Sequence, residues 1–116
     1  MISEKTNIAV FISGRGTNLK ALILRSKKKR CNYKIVYVIS NKKNAGGLRI
    51  AKQNKITTKI ISRLFLKDEQ KKLAKILINK NIKFICLAGF MKILSPYFLN
   101  FFQDKIINIH PSLLPK

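Results

Sequence analysis

Short, unbroken apolar runs alternate along this chain with longer stretches in which apolar residues recur every three or four positions. The runs at 7–13 (NIAVFIS), 33–40 (YKIVYVIS), 56–62 (ITTKIIS), 83–89 (KFICLAG) and 106–110 (IINIH) are rich in β-branched residues. Their length and their bounding turn residues predict five strands. Between them, 18–29 carries Leu19, Leu22 and Ile23 at helical spacing, and 66–81 places Leu73, Ile76 and Leu77 on one stripe. Those two stretches predict helices, as does the shorter amphipathic segment 48–55. Asp68 and Glu69 open the 66–81 helix, where carboxylates suit the helix dipole. A fourth helix is expected over 95–105, with Ser95 as its N-cap and Pro96 at its first position. Strand and helix alternate throughout, which argues an α/β domain on a parallel sheet. Runs apolar on both faces fit strands covered by helices on both sides.

That order changes what the glycines mean. In parallel α/β sheets, ligands gather at the carboxyl ends of the strands. The turn 14–17, the segment 89–94 and His110 all fall at such ends. The sequence pattern alone therefore brings three candidate segments to one edge of the sheet.

Composition agrees with a globular domain. The chain has 116 residues, 47% of them hydrophobic, so a single domain over 1–116 with a real core is expected. Its formal net charge of +21 is extreme. Lysine dominates, spread along the chain with one tight run at Lys27, Lys28, Lys29 and Arg30. Nucleic-acid readers favour arginine forks and interleaved aromatics, which this pattern lacks. Compositional drift is the plainer source of the charge. It gives a general pull on anionic small molecules and implies no specific nucleic acid. Cys31 and Cys86 form no metal-ligand spacing and no disulfide framework, which fits a reducing cytoplasm. Cys86 is expected in the core and Cys31 at the surface. No stretch approaches the length of a membrane span, and the first residues do not read as a signal peptide.

Three segments carry candidate chemistry. In SGRGTN (13–18), two glycines between a strand and a helix let the backbone approach a ligand closely. The helix start then aims free N–H groups at it. This suits a phosphate, although it is neither a dinucleotide fingerprint nor a P-loop, and a plain tight turn is the alternative. Asn18 would cap the helix or bind the ligand. In LAGFMKILS (87–95), Phe90 and Met91 offer a flat and an adaptable apolar surface. They would line a slot for an aromatic heterocycle, or pack in the core. In NIH (108–110), alternation puts Asn108 and His110, the only histidine, on one face of a strand. An amide donor beside an imidazole makes an oxyanion-and-acid pair. No metal cluster accompanies them.

Taken together, VFISGRGTNLKAL, VISNKKNAGGLRIAKQ, LAGFMKILSPYFL and INIHPSLLPK resemble the phosphoribosylglycinamide formyltransferase family, from about residue 7 onward. The resemblance implies a Rossmann-like formyltransferase fold: a mostly parallel sheet with helices on both faces. It implies transfer of a formyl group from 10-formyltetrahydrofolate to the amine of glycinamide ribonucleotide in purine synthesis. Gly16, Thr17 and Asn18 would bind the ribose phosphate. Met91, Lys92, Ile93 and Leu94 would contact the pterin. Asn108 would hold the formyl oxygen, and His110 would be the general acid. Lys92 stands where the family usually has arginine. Family chains continue past the last motif, and the continuation supplies an aspartate that orients the histidine. The resemblance therefore implies that the C-terminal part of the fold is missing. Little activity is then expected from the 116 residues alone, together with an uncovered last strand and a possible complementary C-terminal fragment as partner. A non-catalytic remnant, a methionyl-tRNA formyltransferase and a formyltetrahydrofolate deformylase are the alternatives. SGRGTN at the first strand argues against the tRNA enzyme.

Overall fold

The computed structural model describes residues 5–64, 66–90 and 94–109. Five strands form one sheet: β1 (Thr6–Ile12), β2 (Tyr33–Ser40), β3 (Thr57–Ile60), β4 (Phe84–Ala88) and β5 (Ile106–Ile109). Four helices connect them: α1 (Thr17–Ser26), α2 (Gly46–Gln53), α3 (Lys67–Asn79) and α4 (Pro96–Phe101). The sheet order is β3-β2-β1-β4-β5, and every pairing is parallel.

This order follows from burial on two faces. Alternate residues of β1 enter opposite cores, as a period of two requires. Ile8, Val10 and Ile12 join Leu19, Leu22 and Ile23 of α1 and Leu48 and Ala51 of α2. Ala9 and Phe11 join Leu73, Ala74 and Leu77 of α3 and Phe98 of α4. The chain builds outward from β1 to β3, then crosses back through α3 to place β4 on the other side of β1. The order of strands reverses there, so the β1 and β4 carboxyl ends flank the crevice in which such sheets bind ligands.

The elements match the hydrophobic pattern, most with shorter ends, although α2 lies two residues earlier than the expected 48–55 and β1 begins one residue earlier, at Thr6. α1 stops at Ser26 rather than running to 29, because Lys27, Lys28 and Lys29 offer no apolar face to bury. The amides of Lys27 and Lys28 instead close a turn on the Leu24 and Arg25 carbonyls. β3 spans only four residues and is half exposed, since it is an edge strand with one neighbour. α4 is six residues long and begins as expected: Ser95 Oγ accepts a hydrogen bond from the Phe98 amide at 3.3 Å, with Pro96 in the first position. Cys86 is buried, as expected. Cys31 is half-buried rather than open, and its thiol faces the Tyr33 carbonyl at 3.7 Å.

Candidate active site at the carboxyl edge of the sheet

The first loop is shaped by glycine. Gly16 has φ +89° and is the N-cap of α1, in the left-handed region where a side chain is strained. A Cβ there would lie 2.4 Å from the Gly47 Cα, at the start of α2. A Cβ on Gly47 would in turn meet Ile12 Cδ1 at 2.5 Å. The Gly47 amide also donates to the Gly14 carbonyl at 3.3 Å. The loop thus rests directly on the backbone of α2. Ser13 Oγ donates to Asn41 Oδ1 at 2.7 Å, tying the ends of β1 and β2 together beneath it.

No side chain caps α1. Its first internal bond runs from the Lys20 amide to the Gly16 carbonyl, at 2.8 Å. The amides of Thr17, Asn18 and Leu19 are therefore left without helix partners, the arrangement that binds anions at helix starts. Asn18 does not cap the helix, because Gly16 holds that place. Its side chain is buried against the neighbouring strand instead, with Nδ2 4.0 Å from where a Gly89 Cβ would stand. Thr17 is exposed, and so is Arg15, the one charged residue in the loop.

Gly89 ends β4 at φ +71°. That conformation turns the chain and leaves room for Asn18. Phe90 packs edge-on against Phe11, with ring centroids 5.4 Å apart, so this aromatic surface is partly spent on the core. Leu94 is buried in the same core. A polar brace holds Ser95, just before α4. Gln70 of α3, 1% exposed, donates from Nε2 to the Leu64 carbonyl at 2.8 Å. Its Oε1 accepts from the Ser95 amide at 3.2 Å and from Ser95 Oγ at 2.6 Å. Met91, Lys92 and Ile93 lie outside the described residues, as does His110.

Asn108 is exposed on β5, in register with Leu87 of β4, which is in register with Phe11 of β1. Two inter-strand spacings put Asn108 about 10 Å across the sheet from β1. Gly16–Asn18, Gly89 and Asn108 therefore share one edge. Of the described residues that the sequence singled out, Gly16, Thr17, Asn18 and Asn108 lie at this edge, whereas Leu94 is buried in the core. The structure adds Gly47, Gly89, Ser13, Asn41 and Gln70 as their supports. The double glycine at 46–47 was a visible signal for the first of these. Position 70 falls on the 73, 74, 77 stripe, so the period also marked Gln70 as inward. Among the described residues, no cluster of three potential metal ligands occurs.

Residues 6–116 match the family described as formyl transferase. The chain belongs to that family. It is 44% identical over 112 residues to the phosphoribosylglycinamide formyltransferase of Haemophilus influenzae, covering 94% of this chain and 53% of that protein. It is 43% identical over 116 residues to the trifunctional purine biosynthetic protein adenosine-3 of Gallus gallus, covering 97% of this chain and 12% of that protein. Among solved structures, the phosphoribosylglycinamide formyltransferase of Brucella melitensis superposes with a TM-score of 0.87 at 36% identity, over 97% of this chain and 60% of that one. The chain thus spans about half the length of that Haemophilus influenzae protein. The five-stranded parallel sheet is the part of that α/β fold which this chain spans.

Proposed function

We propose that this chain carries the substrate-binding half of a phosphoribosylglycinamide formyltransferase site. The free helix-start amides of Thr17, Asn18 and Leu19, with Arg15 beside them, take the phosphate of glycinamide ribonucleotide. Met91, Lys92, Ile93 and Leu94 contact the pterin of 10-formyltetrahydrofolate. The substrate amine attacks the formyl carbon and forms a C–N bond. The Asn108 amide donates to the developing oxyanion, as does protonated His110. As the intermediate collapses, the bond to the folate nitrogen breaks and that nitrogen takes a proton from His110. The amine passes its extra proton to water, leaving formylated ribonucleotide and tetrahydrofolate. No metal is required by this scheme, and a reducing cytoplasm suits the two free thiols.

The observation that carries this reading is the seating of Asn18 against Gly89. It joins the glycine loop to the end of β4 at the reversal of strand order, in a chain whose named relatives formylate phosphoribosylglycinamide. Calorimetric titration tests it. Glycinamide ribonucleotide is expected to bind at least about tenfold more tightly than the unphosphorylated riboside, roughly 1.4 kcal/mol. Thr17→Asp, an exposed change that sets a carboxylate at the loop, is expected to erase that difference. Equal affinity for the two ligands in the unmodified protein would overturn the proposal.

A further inference from the structure

Beside α2, toward the β3 edge of the sheet, lies an open cavity of about 690 Å³. Lys43 and Asn44 of the loop after β2, Arg49, Lys52 and Gln53 of α2, and Ile60 at the end of β3 are among the residues that line it. Arg49 and Lys52 are three residues apart on α2, so they rise from one face of the helix. Lys43 comes to the same cavity from the loop. No carboxylate lines it, and α2 has no acid in its first turn. Among the described residues, no carboxylate pairs with any of the three cations. None of the glycine-loop residues 14–18 lines this cavity, so it is separate from the carboxyl-edge site described above.

A solvated lysine face sends its field into water. Three cations around one concavity focus theirs inside it, and they repel one another until a counter-charge enters. A phosphate monoester brings at most about two negative charges near neutral pH, short of the three that face it. A chain of two or three phosphates matches them. The Arg49 guanidinium suits two phosphate oxygens at once, while Lys43 and Lys52 act as point charges along the chain. Ile60 is 43% exposed, and with Ala45 and Leu48 it gives the cavity an apolar wall. The volume lies within the range of about 300–1,000 Å³ typical of small-molecule sites. We propose that this cavity binds a small-molecule polyphosphate ester, with its phosphate chain at Lys43, Arg49 and Lys52 and its apolar body over Ile60. The proposal does not depend on which substrates the carboxyl edge binds.

Magnesium-free ATP is the probe, titrated calorimetrically into the 116-residue protein at low salt beside tripolyphosphate and adenosine. One ATP is expected per chain, held at least about tenfold more tightly than tripolyphosphate, with no measurable heat from adenosine. Arg49→Glu is expected to weaken ATP at least about tenfold. Lys75→Glu makes the same kind of charge change on an exposed residue of α3, across the sheet, and is expected to weaken it far less. Saturating glycinamide ribonucleotide should leave the ATP affinity unchanged. Amide shifts at Lys43, Arg49 and Ile60 on adding ATP give a readout that needs no variant. Equal losses in Arg49→Glu and Lys75→Glu would assign the binding to net charge and overturn the proposal. So would ATP no tighter than tripolyphosphate, displacement of ATP by glycinamide ribonucleotide, or a mixed-sequence single-stranded oligonucleotide that outcompetes ATP at these residues.

Discussion

At the scale of single residues, the site depends on positions where nothing larger fits. Gly16 combines a left-handed backbone with a 2.4 Å approach of its missing Cβ to the backbone of α2. The two nearest atoms, the Gly47 Cα and N, are backbone and cannot move aside. Gly16→Ala is expected to cost about 1–3 kcal/mol from the backbone conformation alone, with the clash added to it. It should lower the urea midpoint and weaken phosphate binding together, while Gly14→Ala, with open space around its Cβ, should do far less. Gln70 makes the complementary case. Its amide satisfies the Leu64 carbonyl and the Ser95 amide in the interior, and Gln70→Ala leaves both without it. About 1–3 kcal/mol of stability should be lost, measured by denaturant unfolding. The glycine pattern and the inward period of position 70 are both written in the sequence. Their partners are not, because Gly47 and Ser95 lie 31 and 25 residues away and only the folded sheet brings them close.

At the scale of elements, the ends of strands and helices decide what faces the ligand and what faces the core. Asn18 shows this. On the helical pattern alone it read equally as a cap or a ligand contact. The left-handed Gly16 takes the cap position and turns Asn18 onto β4. The five strands and four helices were legible because β-branched runs and 3.6-residue stripes are strong local signals. The boundaries were not, because they depend on which lysines find an apolar surface to cover. Tyr33, at the start of β2, donates its hydroxyl to the Leu22 carbonyl at 2.6 Å, fixing α1 to the sheet. Burial pushes its pKa up to about 12, and burial pushes Cys86 up to about 11. Both groups are held neutral in the folded chain above the pH at which they would ionise unfolded. Their contribution is thus complete below about pH 9 and is lost as the pH rises through 9 to 12. Alkaline titration followed by tyrosinate absorbance and circular dichroism should show unfolding coupled to ionisation in that window. Tyr33→Phe removes the phenol and should flatten the loss above pH 10, at the cost of one hydrogen bond.

At the scale of the whole molecule, charge and coverage dominate. Twenty-five cationic side chains against four acids repel one another across a domain with a radius of gyration of 13.5 Å. Screening should therefore stabilise the fold. Raising monovalent salt from about 0.01 M to about 0.15 M shortens the Debye length from about 30 Å to about 8 Å and should raise the thermal midpoint. A midpoint unchanged by salt would mean that the lysines are too well solvated to interact. The glycine loop, Gly89 and Asn108 all lie at one edge of the five-stranded sheet, while about half of the Haemophilus influenzae protein's length lies outside what this chain spans.

The most direct test of the account is an amide NMR titration of the labelled protein with glycinamide ribonucleotide. Shifts are predicted at Thr17, Asn18, Leu19 and Gly89 and at the Asn108 side-chain amide, with Ile60 and Ile107 unmoved. Saturable shifts confined to other surfaces, or none at ligand concentrations that saturate the family's enzymes, would contradict a formyltransferase site at this edge of the sheet.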